Sequence, residues 1–120
     1  MVGLITALLG LLAVPLVCVG VTRAGANGQL ERNGAVGIRT RDTQLSDAAW
    51  QAGHAAVLPV VTRTGWVGVV AAVLAVATHV AAGLPWSVLV AVAGLTAESV
   101  LLAVAAGAAG RAARDTARPG

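Results

Sequence analysis

The sequence predicts an all-α integral membrane protein. It should have three transmembrane helices, an extended loop between the first two, and an amphipathic helical lead-in to the second span. Of 120 residues, 58% are hydrophobic and only 11% are charged. Soluble domains are about one quarter charged, so this chain has too little polar surface to wrap a water-soluble core. The apolar residues fall into three runs, each near the roughly 20 residues that cross a bilayer. The runs are rich in Ala, Val, Leu and Gly and lack the alternation of barrel strands. The same composition excludes a disordered chain, and an aromatic content of 2% excludes a stacking platform for nucleic-acid bases.

The first span covers residues 2–22, uncharged throughout and about 30 Å long as a helix. A cleaved signal peptide would start with basic residues and have a shorter apolar stretch. A lipoprotein site would place a small residue before Cys18, where Val17 stands. The run therefore reads as a retained span, bent at Pro15. Cys18, the single cysteine, has no partner for an internal disulfide. The second span covers residues 64–83, with Trp66 near its start. After a short turn at Leu84-Pro85, the third covers residues 86–110, interrupted by Glu98 alone. Residues 1–110 read as a single domain. Residues 111–120 read as a tail that is disordered or rests on anionic headgroups.

All eight basic residues are arginines. Arg23, Arg32, Arg39, Arg41 and Arg63 lie between spans one and two, and Arg111, Arg114 and Arg118 follow span three. The positive-inside rule then places the loop of residues 23–63 and the C-terminus in the cytoplasm, and the N-terminus outside. Trp66 and Trp86 fall at opposite interfaces, as belt anchors do. With the basic residues set between apolar runs, a headgroup surface is a better partner for the net charge of +3 than nucleic acid.

At 41 residues, the loop of residues 23–63 is too long for a passive joint. Residues 24–28 are small and polar and read as flexible. Residues 33–40 carry Asn33, Gly34 and Gly37, which permit tight backbone geometry. Ser46 is a good N-cap for a helix starting at Asp47, whose carboxylate suits the positive helix end. Leu45 and Trp50 have the spacing of a hydrophobic staple, and Trp50 and His54 share a helix face. Continued through Pro59 into span two, this helix would be about 55 Å long, so its first part must stand outside the hydrocarbon or lie on its cytoplasmic surface.

The series Asn33, Gly37-Ile38-Arg39-Thr40, Thr43, Ser46, Trp50, His54 resembles the signature of SdpI-like membrane proteins, the sporulation-delaying-toxin immunity family. That pattern is Asn, three residues, Gly-Ile/Val-Arg-Thr, two residues, Thr, a short gap, Ser, three residues, Trp, three residues, His or Asn. Every keyed position is matched, and an apolar span follows. Arg41 stands where members often have Pro, and the longer members carry additional spans, so this chain is similar to the short three-span type. The resemblance implies a multi-pass protein of the bacterial plasma membrane, without enzymatic activity. It further implies a role in toxin immunity or signalling through the motif residues, with a toxin, a regulator or a larger membrane complex as the expected partner.

Arg39 reads as a clamp inside the loop, with Asp42 and Asp47 near enough to pair with it. Its planar fork also suits a lipid phosphate or a partner's carboxylate. Glu98 lies in mid-span, where a lone carboxylate costs a few kcal/mol, about 3 on insertion scales. It reads either as a neutral carboxyl bonded to Thr96, Ser99 or a neighbouring helix, or as a proton or cation site. His79 is its natural partner to test. It sits roughly 6 Å from the outer end of its span against about 18 Å for Glu98, so a water-bridged link is favoured over direct contact. On its own, His79 reads as an interfacial imidazole. His54 and His79 lie on opposite sides of the membrane, and no metal, cofactor or catalytic constellation is apparent. Small-residue pairs at Gly3/Ala7, Gly68/Ala72 and Ala103/Gly107 allow close helix approach and leave room for a homo-oligomer. The rival functions are an accessory subunit of a larger complex and, less well supported, a small proton-coupled transporter using Glu98.

Overall fold

A computed structural model describes residues 1–117 as an all-helical chain with three long helices. They are α1 (Val2–Ala26), α2 (Asp47–Ala82) and α3 (Leu84–Ala117). A single 3₁₀ turn, Thr43–Leu45, lies in the α1–α2 connection. All three helices are long and apolar enough to cross a membrane. The molecule measures 57 × 21 × 18 Å, nearly twice as long as a hydrocarbon core of about 30 Å is thick. α2 is the central helix, packed along α3 and α1.

Each helix boundary has a local cause. The Ser46 hydroxyl accepts the Ala49 N–H at 3.0 Å and starts α2. α2 then runs unbroken through Pro59, as α1 runs through Pro15. Gly83 alone separates α2 from α3; its φ of +90° reverses the chain at little cost for a residue without a side chain. Pro85 falls in the first turn of α3, where a missing N–H is tolerated, so the expected Leu84-Pro85 turn belongs to that helix.

Two further expectations are corrected. Residues 24–26 are not a flexible link but the last turn of α1. Gly25 there is buried so tightly that a β-carbon would come within 2.6 Å of the His54 ring. Residues 111–117 are not a disordered tail but continue α3; Ala113 is buried, and Arg114 pairs with Asp42 at 3.1 Å. The rest of that tail lies outside the described residues.

Two apolar cores stack along the bundle. One gathers Leu4 and Leu11 of α1, Ala71, Ala72 and Ala75 of α2, and Ala91 of α3. The other gathers Val57 and Val61 of α2 with Ala105 and Ala109 of α3, and Ile38 of the connection packs against it. Of the expected small-residue pairs, Gly68/Ala72 is buried in the bundle, whereas Gly3, Ala103 and Gly107 are exposed. α3 packs through Ala105, Ala109 and Ala113, two positions round from the expected pair and so on the opposite face. Outside these seams, large apolar side chains such as Leu9, Val73 and Leu89 are exposed all round, as lipid contact requires. Trp66 and Trp86 are 68% and 60% exposed, Trp86 beside the turn at Gly83 and Trp66 about 25 Å along α2 from that turn.

Close approach makes glycine irreplaceable at one point of α2. A β-carbon on Gly68 would strike the Leu11 carbonyl oxygen and Glu98 Oε1, whereas one on Gly65 would meet nothing. Gly68→Ala should destabilise the bundle by about 1–3 kcal/mol through overpacking, and Gly65→Ala should be neutral or slightly stabilising. Thermal denaturation in mild detergent compares the two.

Candidate functional site

The connection between α1 and α2 folds back onto the bundle end and is held there by α2 side chains. As α1 ends, the Leu30 N–H reaches back to the Ala24 carbonyl at 2.9 Å, and the Leu30 carbonyl accepts the Trp50 indole N–H at 2.9 Å. Asn33 forms an Asx turn, its Oδ1 accepting the N–H groups of Ala35 and Val36 at 2.8 and 2.7 Å. The Gln44 side chain donates to the Asn33 carbonyl at 2.7 Å and closes that turn against the 3₁₀ segment.

Gly37 brings the chain over α2 with a φ of +108°, and a β-carbon there would come within 2.7 Å of the Trp50 ring. Trp50 and His54 lie one turn apart with ring centroids 4.3 Å from each other, and both are buried. The next amide, Ile38 N–H, donates to His54 Nε2 at 3.0 Å, while Nδ1 lies 2.7 Å from the Trp50 carbonyl. Nε2 therefore accepts, and the proton of the neutral ring is on Nδ1. His54 lies about 13 Å along α2 from Arg63, outside the hydrocarbon-spanning part of the helix. There its burial pushes the imidazole pKa below the ordinary histidine value, a shift that the bond to the Trp50 carbonyl only partly opposes.

The two threonines complete the fold of the loop. The Thr43 hydroxyl donates to the Ile38 carbonyl at 2.7 Å, and Thr40 Oγ1 accepts the Thr43 N–H at 3.2 Å. Thr43 also packs on Gly53, where a β-carbon would come within 3.0 Å of the Ala109 carbonyl of α3. The motif residues Asn33, Gly37, Ile38, Thr40, Thr43, Ser46, Trp50 and His54 thus form one hydrogen-bonded and packed unit.

Arg39 stands partly apart. Its guanidinium donates to the Gly34 carbonyl at 2.6 Å and remains exposed. The acids expected to pair with it are taken elsewhere: Asp42 by Arg114 at 3.1 Å and Asp47 by Arg32 at 3.4 Å. The α3 extension draws Asp42 away. The expected staple differs too, since Leu45 is 53% exposed while Trp50 turns inward to Leu30, Gly37 and His54.

Beneath residues 35–40 the three helices part, leaving an apolar cleft of about 540 Å³. Val21 of α1, Val61 of α2, and Leu102 and Ala106 of α3 line it, while Val36 and Arg39 stand at its roof. An arginine over an apolar slot is suited to a molecule with an anionic group and an apolar chain.

This constellation has a counterpart in known sequences. The SdpI/YfhL protein family model matches residues 29–108, from just before the Asx turn to well into α3, which is two thirds of the chain. The chain belongs to the SdpI/YfhL family. No curated protein and no solved structure matches it. As an SdpI-family protein with three apolar spanning helices, it is a multi-pass membrane protein.

The two intramembrane polar residues lie away from this unit and from each other. Thr96 and Ser99 donate to the Val92 and Leu95 carbonyls of their own helix, so neither serves Glu98 as expected. Glu98 is buried, and both its oxygens lack a hydrogen-bond partner among the described residues. His79 is half-buried near the far end of α2 and forms no ion pair with Glu98 among those residues. Sequence reasoning missed Gly25, Gly53 and the Asp42–Arg114 pair. The close approaches at these glycines depend on helix rotation, and the pair joins positions 72 apart, so neither carries a local signal.

Because burial on folding lowers the His54 pKa, the contribution of the packed neutral imidazole to stability is present above the unfolded-state pKa. It is lost as pH falls through the folded-state value. In a Trp66→Phe, Trp86→Phe background, Trp50 fluorescence should therefore shift to the red on acidification below the ordinary imidazole range, and His54→Asn should abolish that pH dependence. Gly37→Ala should shift the emission at neutral pH, since it forces both the +108° backbone and the Trp50 ring.

Proposed function

We propose that this SdpI-family chain is a non-enzymatic protein of the bacterial plasma membrane, acting in immunity or signalling through the loop that roofs the apolar cleft. The loop and C-terminus face the cytoplasm, and the N-terminus faces out. The supporting observation is the cleft itself: an apolar slot between α1 and α3, with the exposed Arg39 guanidinium at its roof. Most other motif residues shape and hold the loop, and Arg39 is the charged, exposed one, with guanidinium donors left for a ligand. An amphiphile fits, with its apolar part between the helices and its phosphate or carboxylate on Arg39. A peptide partner or a lipid headgroup meets that description.

Capture in cells tests this reading. A photoreactive residue at Val36 should crosslink one predominant species, and mass spectrometry identifies it as peptide or lipid. Arg39→Gln should lower the yield about tenfold, as loss of one charge-assisted hydrogen bond worth about 1.4 kcal/mol would. Arg39→Lys should recover part of it, because a single point charge replaces the fork. The same substitutions should reduce survival in cells challenged with a membrane-active peptide against which the wild-type chain protects. Unchanged capture and survival in Arg39→Gln would reject the proposal. A stoichiometric integral membrane partner at Val36 would favour an accessory subunit. A C-terminal reporter should be active only in the cytoplasm.

A further inference from the structure

Glu98 sits between the two apolar cores, and nothing in the loop site uses it. Its side chain is among the largest fully buried ones. Among the described residues, no donor reaches either oxygen and no basic group forms an ion pair with it. What lies next to it is a second acceptor. Pro15 has no N–H, so the Leu11 carbonyl one turn earlier loses its helical donor. That carbonyl oxygen and Glu98 Oε1 are the first two atoms a β-carbon on Gly68 would strike. They therefore flank the same bare stretch of α2 backbone, as neighbours. An ionised carboxylate can only accept, which leaves two acceptors facing each other in hydrocarbon. A carboxylic acid carries one O–H donor, and the Leu11 carbonyl lacks one.

We propose that Glu98 is an intramembrane proton-binding site, in which its carboxyl takes up one proton and donates it in a hydrogen bond to the Leu11 carbonyl freed by Pro15. Gly68 supplies the room. A metal cation is a poor fit, because hard cations take six or more oxygens and this pocket offers one carboxyl and one carbonyl. The titratable groups around it do not substitute for that partner. Cys18 of α1 is a half-buried free thiol and at best a weak donor. On α2, Arg63 and His79 lie about 7 and 16 Å along the axis from Gly68, and on α3 Arg111 lies roughly 20 Å from Glu98. The bound proton ties α3 to α1 across α2, so its loss should loosen the bundle at mid-height.

The chain contains two glutamates, Glu31 and Glu98. The full chain, labelled with carbon-13 at the glutamate carboxyls and placed in phosphatidylcholine–phosphatidylglycerol bilayers, is read by isotope-edited infrared spectroscopy. At neutral pH we expect a carboxylate band from exposed Glu31 and a carboxylic-acid band from Glu98 that disappears in Glu98→Gln. Should Glu98→Gln fail to fold, Glu31→Gln assigns the remaining band without touching the site. Pro15→Ala supplies an N–H to the Leu11 carbonyl and should shift the acid band upward, since the carboxyl loses part of its acceptor. Two carboxylate bands at neutral pH would overturn the proton site. An acid band unmoved by Pro15→Ala would overturn its assignment to Leu11.

Discussion

Helices in hydrocarbon gain little by covering apolar surface from one another, because lipid covers it equally well, so their association depends on close approach. In this chain the approach is made through α2, at places where a β-carbon could not stand or where one helix's glycine receives another's side chain. Gly68 admits the Leu11 carbonyl and Glu98, Gly53 lies under Thr43 and the Ala109 carbonyl, and Gly25 takes the His54 ring. α2 is in turn the element that holds the loop, through Trp50 and His54. Helix packing and loop folding thus share one scaffold and one requirement, backbone approached without side-chain bulk.

The two ends of the problem are solved differently. In the loop, polar groups are numerous and serve one another: the Asx turn at Asn33, the Thr40–Thr43 pair, the Ile38 amide on the His54 ring and the Leu30 carbonyl on the Trp50 indole. A loop lying against a membrane protein must satisfy its backbone in this way. At mid-span, among the described residues, the Glu98 carboxyl and the Leu11 carbonyl freed by Pro15 lack donors, in surroundings where unmet polarity is most costly. Most motif residues thus bond or pack within the loop unit, Arg39 is its exposed charged member, and the buried carboxyl lies elsewhere.

Much of this was legible in the chain. The three spans, the N-cap at Ser46 and the shared face of Trp50 and His54 follow from run length, capping chemistry and helical period. The motif order pointed to the family. Other readings needed the third dimension. Residues 24–26 look flexible because Gly25 is a weak helix former and the polar Asn27-Gly28 follow, yet His54 packs on Gly25 and holds them helical. Residues 111–117 look like a charged tail, yet Ala113 and the Arg114–Asp42 pair draw them into α3.

By itself the sequence determined the class, the number of spans and the residues worth testing, because hydrophobic length and local turn chemistry are properties of neighbours along the chain. Only the tertiary structure decided the pairings: Asp42 with Arg114 rather than Arg39, the Ile38 amide with His54, and Glu98 beside the Leu11 carbonyl. Those depend on helix rotation and depth, which are set by where glycine lets two backbones meet, and no local pattern encodes that.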